Sequence, residues 1–432
     1  MYFRTLKFLI LFLALSLGAW AQKITNSPYS RYGIGDINFN GTGHAVALGG
    51  TSIAESTPYF LNLVNPAANT NLQIQRFVFD VGFDVKYTNT ESQSNSQKNS
   101  NSTFRYFAGG FAVKPWWTFT FAMMPYSSVG YAMSDSSNVT LENTSEVYGY
   151  SHYYSGKGGL SKISLSTSFK ILKMFSIGIQ GEYLFGDIER YNYIGVKATD
   201  SYYSGSYYNN NYIIHGFNYD LGFLAEKSFK YKKDSTKNCC KFAAGFYYSN
   251  KAKLNTRNEL LLYTNNSLTA TSDTIAADTL YDGKIEIPQS YGFGISAEFF
   301  DKFLINADYK YQNWTNFSLP GQENSTTLKE NRYYGLGFQF VAAKFSSRYY
   351  RTINYRIGIH RSDTYLSING REIQDKGFTF GLGFPVRSLL LNVSCDFGTR
   401  GTTDYNLYKE KYFLIHFNVT AHDVWFVKRK FQ

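Results

Sequence analysis

Residues 77–87 read Phe-Val-Phe-Asp-Val-Gly-Phe-Asp-Val-Lys-Tyr. Every odd position in this stretch is apolar or aromatic, whereas the even positions include Asp80, Asp84 and Lys86. Such an alternation, with a period of two, places the two sets of side chains on opposite faces of a β-strand. About nine to eleven residues are enough for a tilted strand to cross a bilayer. The stretch therefore predicts a membrane-spanning strand with a lipid-facing side and a polar side.

The same alternation recurs along the chain, for example in residues 177–185, 217–223, 303–311 and 413–420. We count about fourteen such segments, which is typical of an antiparallel β-barrel. They start near residues 75, 103, 116, 159, 175, 211, 239, 286, 303, 330, 351, 376, 388 and 410.

The connections between these segments alternate in length. Short basic turns, such as Lys114-Pro115 and Asp301-Lys302, alternate with long polar stretches that we expect to be loops: 89–102, 135–158, 191–210, 254–285, 317–329, 363–375 and 399–409. Long loops on one side and short turns on the other are typical of an outer-membrane barrel. An even strand number places both termini on the periplasmic side. A secreted β-sandwich or propeller is the alternative, although no fixed repeat favours a propeller.

The composition fits a membrane barrel. Of the 432 residues, 19% are aromatic and only 17% are charged, yet the mean hydropathy is −0.30. Disordered chains lack aromatic residues, and helical membrane proteins need long apolar runs, so both classes are excluded. Averaging over a lipid-facing and a polar side explains the negative hydropathy, and Tyr and Trp belong at the two membrane interfaces.

The first 21 residues are predicted to be a signal peptide. Arg4 and Lys7 precede the apolar run Phe8–Trp20, and Ala19-Trp20-Ala21 matches a cleavage site. We expect an exported chain, which excludes nucleic acid as a partner despite the formal charge of +11. The barrel is predicted to span residues 73–420, and residues 421–432 are predicted to be a basic periplasmic tail.

Residues 22–72 do not have the pattern of a membrane strand. They contain a Gly/Ala-rich piece, Gly41–Ala54, and end at Asn65-Pro66-Ala67-Ala68. Small residues allow close packing inside a lumen, and a barrel of this size would leak unless its interior were occupied. A plug, a periplasmic tail and a receptor-like appendage all remain open for this segment.

In these features the chain resembles the FadL/TodX family of outer-membrane transporters for long-chain fatty acids and hydrocarbons. The resemblance rests on the Gly/Ala-rich segment running into Asn65, Pro66 and Ala67, followed by about fourteen strands. It implies that residues 22–72 form a hatch inside the barrel and that this motif closes it. The sequences at residues 27–36 and 425–430 resemble the Bacteroidota branch of outer-membrane proteins.

The third predicted strand contains Met123, Met124 and Pro125. Proline has no N–H to donate, so a central strand should avoid it, and its presence predicts a kink or bulge. The family resemblance implies a lateral gate at this kink, with the two methionines as adaptable apolar contacts. The alternative is a harmless bulge near the rim.

The polar faces of the strands carry Asp80, Asp84, Glu182 and Asp308. We interpret them as part of a hydrated, salt-bridged lumen rather than a specific site. No nucleophile–base pattern or phosphate-binding loop appears, so we expect no enzyme. The three cysteines lack metal-site spacing, so we expect no metal and no cofactor.

The resemblance implies uptake of small hydrophobic, fatty-acid-like molecules across the outer membrane. Two alternatives stay open: a non-transporting barrel subunit of a Bacteroidota outer-membrane complex, in type IX secretion or as a barrel assembly accessory, and a general porin. The expected partners are outer-membrane lipid and lipopolysaccharide, a hydrophobic small molecule and other outer-membrane proteins.

Overall fold

The computed structural model describes residues 25–38, 41–140, 147–197, 204–230, 238–266, 271–320, 327–344 and 346–425. The predicted signal peptide (1–21) and residues 426–432 of the predicted basic tail lie outside the described residues. No helix within the described ranges is long and apolar enough to cross a membrane.

Within these ranges fourteen antiparallel strands form a closed barrel, which confirms the predicted fold class. The barrel closes where the last strand pairs with the first, from Lys409–Glu91 to Val424–Arg76. The strands are β1 Arg76–Glu91, β2 Ser96–Lys114, β3 Trp117–Pro125 with Ser127–Thr140, β4 Val147–Lys170, β5 Phe175–Lys197, β6 Ser204–Lys230, β7 Asn238–Ser249 with Ala252–Asn266, β8 Thr271–Ile287 with Ser290–Phe299, β9 Phe303–Asn313, β10 Thr327–Leu328 with Glu330–Phe340, β11 Asn354–Ile368, β12 Arg371–Val386, β13 Leu389–Gly401 and β14 Lys409–Val424.

The alternation in sequence corresponds to the two faces of the wall. Apolar residues such as Phe217, which is 78% exposed, cover the outer face, where a soluble protein would not tolerate them. Polar residues on the same strands, such as Ser166, Asn306 and Asn418, are buried inside the barrel. The polar side of each strand therefore forms the lumen, and the apolar side faces lipid.

Strands β4 to β8 continue far beyond the apolar band, as a sheet that we call the rim sheet. It consists of residues 147–157, 187–197, 204–214, 255–266 and 271–284. The prediction that residues 135–158, 191–210 and 254–285 are loops is wrong for most of these positions. Both faces of the rim sheet carry polar residues, so the alternation of apolar and polar residues disappears from the sequence. The backbone hydrogen bonds between neighbouring strands nevertheless continue through the rim sheet.

The N-terminal residues 25–72, which we call the inner segment, run through the barrel. The Gly49 N–H donates to Thr379 Oγ1 of β12 at 3.0 Å, and the Ser52 N–H donates to Asp308 of β9 at 2.7 Å. Asn65 Nδ2 donates to the Phe223 carbonyl of β6 at 3.1 Å. Because these strands lie on different sides of the lumen, the inner segment crosses its interior.

The inner segment contains short helical turns and one short strand. A 3₁₀ turn spans Pro28–Arg31, a two-residue strand spans Asp36–Ile37, one helical turn spans Gly43–Val46 and a second 3₁₀ turn spans Pro66–Asn71. This compact arrangement fits a segment rich in glycine and alanine, whose small side chains allow close backbone packing.

The two ends of the described chain lie at different ends of the barrel. Ser27 contacts Glu410 near the start of β14, whereas β14 ends at Val424 beside Arg76. The last strand also extends four residues past the predicted barrel boundary at residue 420. Residues 1–24 lie outside the described part, so the periplasmic location of both termini stays a prediction.

Candidate functional site

The barrel wall has a gap between β2 and β3. The first part of β3 pairs with β2 up to Met123–Phe107 and with β4 up to Pro125–Ser161. Among the described residues, the second part of β3, residues 127–140, pairs with β4 but not with β2. We call the missing contact the wall gap; it begins next to Pro125, the proline that cannot continue the hydrogen-bond ladder.

The neighbouring strand β4 bends at the same level. Gly158 and Gly159 have φ angles of 106° and 137°, in the region that favours glycine. A Cβ at Gly159 would collide with the Ser127 carbonyl of β3. The distortion at the wall gap thus extends into the next strand and depends on the absence of a side chain there.

The three residues of the predicted gate lie at the edge of the wall gap. Met123 is 43% exposed on the lipid-facing side, whereas Met124 faces inward and packs against a buried cluster that includes Leu61 and Tyr106. Pro125 is the last residue before the interruption. Their role as a lateral gate stays a prediction.

The inner segment closes the wall gap from inside. Asp36 and Ile37 pair with Ser128 and Ser127 as a short antiparallel strand added to the edge of β3. The Asn38 N–H also donates to the Tyr126 carbonyl at 3.0 Å, so it uses a group freed by the interruption.

An apolar cluster, which we call the outer lumen cluster, fills the lumen beside the wall gap. Its members come from the inner segment, several strands and two loops, and they are buried. They include Tyr29, Ile34, Val129, Tyr131, Leu160, Leu184, Ile188, Tyr212, Ile214, Leu254, Ile285, Trp314, Phe317, Leu319, Tyr365 and Leu366.

The loop after β9 supplies the largest member of this cluster. Trp314 is 0% exposed, and its ring lies 5.0 Å from Phe317 and 5.1 Å from Tyr365. The Tyr212 hydroxyl donates to the Pro320 carbonyl at 2.8 Å, which holds the loop inward. The prediction that residues 317–329 form a long polar loop is wrong for Phe317 and Leu319, which are buried in this cluster. The sequence feature that indicates a buried loop is the apolar pair Phe317 and Leu319, which is unusual in an exposed loop.

Polar contacts tie the outer end of the inner segment to β13 and β14, which are separated from the wall gap by β1 and β2. Arg400 of β13 forms an ion pair with Asp36 at 2.7 Å, and Ser27 Oγ donates to Glu410 of β14 at 2.6 Å. The Tyr29 hydroxyl donates to the Tyr408 carbonyl. The inner segment therefore bridges two regions of the wall.

The predicted motif Asn65, Pro66 and Ala67 lies at the other end of the inner segment. Asn65 is fully buried, and its Oδ1 accepts from the Ala67 N–H at 3.1 Å, which caps the turn Pro66–Asn71. Asn65 Nδ2 donates to the Ile53 carbonyl at 2.8 Å as well as to Phe223. The motif thus joins two parts of the inner segment to the barrel wall.

Asp308, one of the predicted lumen residues, binds the inner segment directly. Its carboxylate accepts from the N–H groups of Ser52 and Ile53 at 2.7 and 2.9 Å. Lys310, two residues along the same face of β9, donates to the Gly50 carbonyl at 3.0 Å. Asp308 and Lys310 therefore hold backbone groups of the inner segment in place, a role beyond the hydrated, salt-bridged lumen predicted for this face.

Glu55 and His44 form a buried ionic contact within the inner segment. His44 Nε2 lies 3.4 Å from the Glu55 carboxylate, which also accepts from Asn306 Nδ2 at 3.0 Å. Burial by itself would raise the pKa of Glu55, but the charges of His44 and Arg356 outweigh it and lower the pKa of this carboxyl. Glu55 is therefore held as a carboxylate.

The other predicted lumen residues have polar partners inside the barrel. Glu182 pairs with Lys162 at 2.5 Å, and Asp84 pairs with Arg105 at 2.6 Å and also contacts His416. Asp80 accepts from the Tyr106 hydroxyl at 3.0 Å.

Tyr106 also links the wall to the inner segment, because its hydroxyl oxygen accepts from the Gly43 N–H at 2.9 Å. In the described part of the chain, no group of three or more His, Cys, Asp and Glu side chains is arranged to hold a metal ion.

Several solved structures resemble the chain, and hydrocarbon channels and transporters are among them. The Pseudomonas putida toluene transporter TodX is 13% identical, with a TM-score of 0.55 over 90% of this chain and 100% of TodX. The monoaromatic hydrocarbon channel CymD is 13% identical, with a TM-score of 0.54 over 89% of this chain and 98% of CymD.

A Pseudomonas aeruginosa FadL homologue is 11% identical, with a TM-score of 0.54 over 90% of this chain and all of that chain. At these identities the likeness establishes the fold alone, a FadL-like β-barrel. None of the curated proteins matches the chain. A family model does match it, over residues 3–432, and this model is described as BamG. The chain therefore belongs to the BamG family.

Proposed function

We propose that the protein takes up small hydrophobic molecules across the outer membrane and releases them sideways through the wall gap. The observation that carries this proposal is the position of the gap beside the outer lumen cluster. Val129 and Tyr131 belong to β3, which borders the gap, and Leu160 belongs to β4, the strand paired with β3; all three are members of that cluster. A hydrophobic molecule in this part of the lumen would meet apolar side chains up to the opening in the wall.

The route is closed in the state described by the structure. The short strand Asp36–Ile37 covers the edge of β3, and Trp314 fills the lumen behind it. Passage therefore requires the inner segment to leave the edge of β3. We propose that residues 22–72 act as a hatch, that Asn65, Pro66 and Ala67 anchor its inner end, and that Met123, Met124 and Pro125 form the edge of the exit.

A reversible cross-link tests whether this movement is needed. Ile37 and Ser127 are paired residues on adjacent antiparallel strands, which brings their Cα atoms to about 5 Å, within reach of a disulfide. In a background with Cys239, Cys240 and Cys395 replaced by alanine, Ile37→Cys with Ser127→Cys would lock the inner segment onto β3. We expect the oxidised protein to lose uptake of toluene and of a long-chain fatty acid into proteoliposomes, and to regain it on reduction.

A matched cross-link within the wall serves as the control. Leu389 and Ala421 are paired on β13 and β14, so Leu389→Cys with Ala421→Cys joins two strands without touching the inner segment. This variant should transport equally well when oxidised or reduced. Uptake that persists in the fully oxidised Ile37–Ser127 variant would refute the proposed route.

A non-transporting subunit of an outer-membrane complex is the second candidate. The observation that favours it is the filled lumen, in which buried polar contacts such as Asp308 with Ser52 and Arg400 with Asp36 hold the inner segment. A subunit should co-purify with partner proteins in mild detergent and should fail to transport either probe. Recovery of a lone monomer that transports would exclude this candidate. The same filled lumen disfavours a general porin, whose channel would show a stable conductance in planar bilayers.

A further inference from the structure

The outward face of the rim sheet carries a row of tyrosines in register. Tyr153 pairs with Tyr193, Tyr193 with Tyr207 and Tyr207 with Tyr263, on four neighbouring strands. The rings of Tyr193 and Tyr207 lie 4.7 Å apart, and those of Tyr207 and Tyr263 lie 4.6 Å apart. Tyr191 joins them at 5.8 Å from Tyr207 and 6.3 Å from Tyr153. We call these five residues the tyrosine row.

The tyrosine row continues the lipid-facing surface of the barrel away from the membrane. On β5 the odd positions from Ile177 face outward, and Tyr191 and Tyr193 have the same parity. Asp187 and Glu189 lie on the same face, between the apolar residues and the two tyrosines, and mark the end of the apolar band. Tyr193 lies 18 residues beyond Phe175, about 45 Å along the membrane normal for a strand tilted by about 40°, whereas the apolar band is about 25 Å tall. If the rim sheet lies on the cell-surface side, as the long connections predict, the row is at the height of the sugars of the surrounding glycolipid.

The backbone beneath the row leaves room for the rings to lie against the sheet. Gly195 and Gly205 are paired across β5 and β6, and a Cβ on either residue would collide with the Tyr193 side chain. Tyr193 thus covers two glycines, and the row presents a broad surface of aromatic rings. Tyrosine suits such a surface because it offers a large, rigid contact area together with a hydroxyl group.

A polar cleft adjoins the row. Its lining includes Asn209, Asn211, Glu189 and Glu259, and Asn209 is paired with Tyr191. Glu189 and Glu259 form ion pairs with Lys157 and Arg257, at 2.5 and 3.0 Å. Asp278 also lines the cleft. The cleft is therefore rich in hydrogen-bonding groups and its lining is acidic, which suits sugar hydroxyls better than phosphate groups.

We propose that the tyrosine row and the adjoining cleft bind the neutral sugar chain of the outer-leaflet glycolipid around the barrel. Aromatic rings would pack against the apolar C–H faces of the sugar rings, while the amides and carboxylates of the cleft would bind sugar hydroxyls. The continuity of the row with the lipid-facing wall brings this sugar chain to the site without any second protein. This binding is independent of the proposed passage of hydrophobic molecules.

The test uses the full chain, folded in detergent, and the lipid-free oligosaccharide released from the glycolipid of the source cells by mild acid. We expect calorimetric titration to show binding by the unmodified protein and at least tenfold weaker binding by the double variant Tyr193→Ala with Tyr207→Ala. The variant Tyr193→Phe with Tyr207→Phe keeps both rings and should lose less affinity than the alanine variant. Circular dichroism and the heat-dependent gel migration of each variant check that the barrel is folded.

Tyr334→Ala is the matched control, because Tyr334 is also exposed on the outer face and its ring lies 5.2 Å from Tyr309, but it belongs to β10, outside the rim sheet. This variant should bind like the unmodified protein. Three results would overturn the proposal: no binding of the free oligosaccharide, equal binding by the folded alanine variant, or binding of lipid A alone in place of the sugar. Self-association that disappears in the alanine variant would likewise reject it, because the row would then contact a second copy of the chain.

Discussion

Arg400 and Asp36 form an ion pair of 2.7 Å that joins β13 to the short strand of the inner segment. The same Asp36 pairs through its backbone with Ser128 at the edge of β3. One residue of the inner segment is therefore bound on both sides, by a charge on one part of the wall and by a β-bridge on another. Both side chains of the ion pair are largely buried, which makes its loss costly.

Arg400→Met should loosen the outer end of the inner segment. Removing the guanidinium leaves Asp36 without its buried partner, and we expect the free energy of unfolding in urea to fall by about 3 kcal/mol. Hydrogen exchange of residues 25–38 should become faster. Lys411→Met is the control, because Lys411 pairs with Glu91 at an exposed position, where the loss should stay below about 1 kcal/mol. Equal effects of the two variants would show that the Arg400 pair does not hold the segment.

Asn65→Ala should destabilise the inner end of the segment. The substitution removes the cap of the turn Pro66–Asn71 and leaves the carbonyls of Ile53 and Phe223 without their donor. We expect a loss of about 2–3 kcal/mol, measured by urea unfolding. Asn95→Ala, in an exposed hairpin, should change stability little. A loss at Asn65 no larger than at Asn95 would contradict the anchoring role.

The barrel could be predicted from the sequence because each membrane strand repeats one local pattern. Phe77–Tyr87 alone shows the period, and the lipid requires it of every strand that crosses. The rim sheet could not be predicted in this way, since its outward face carries polar residues such as Tyr193 and Asn209 in place of the apolar residues that lipid requires. The path of the inner segment could not be predicted from the sequence either, because contacts such as Ser52 with Asp308 join residues far apart in the chain.

The stability of the inner segment should depend on pH through Glu55. Its pKa is lowered in the folded state, so Glu55 contributes stability that is present above its unfolded pKa of about 4.3 and is lost as the pH falls through the lower folded value. We expect Glu55→Gln to remove this part of the pH dependence of urea unfolding between about pH 5 and pH 3. Glu259→Gln, on the exposed rim, is the control. An unchanged slope in the Glu55 variant would show that another group is responsible.

Trp314→Ala should open the outer lumen cluster. Loss of a fully buried indole is expected to cost about 3–5 kcal/mol and to leave an apolar cavity beside the wall gap. If hydrophobic molecules pass through this region, toluene should fill the cavity and raise the unfolding free energy of the variant, because a ligand that binds only the folded state stabilises it. Uptake of toluene into proteoliposomes should also become faster, since the bulkiest obstacle on the route is gone.

Trp116→Ala, at an exposed position outside the lumen, should show neither effect. A Trp314 variant that is destabilised but gains neither toluene-dependent stability nor faster uptake would mean that this part of the lumen is packing alone, and would favour the non-transporting subunit.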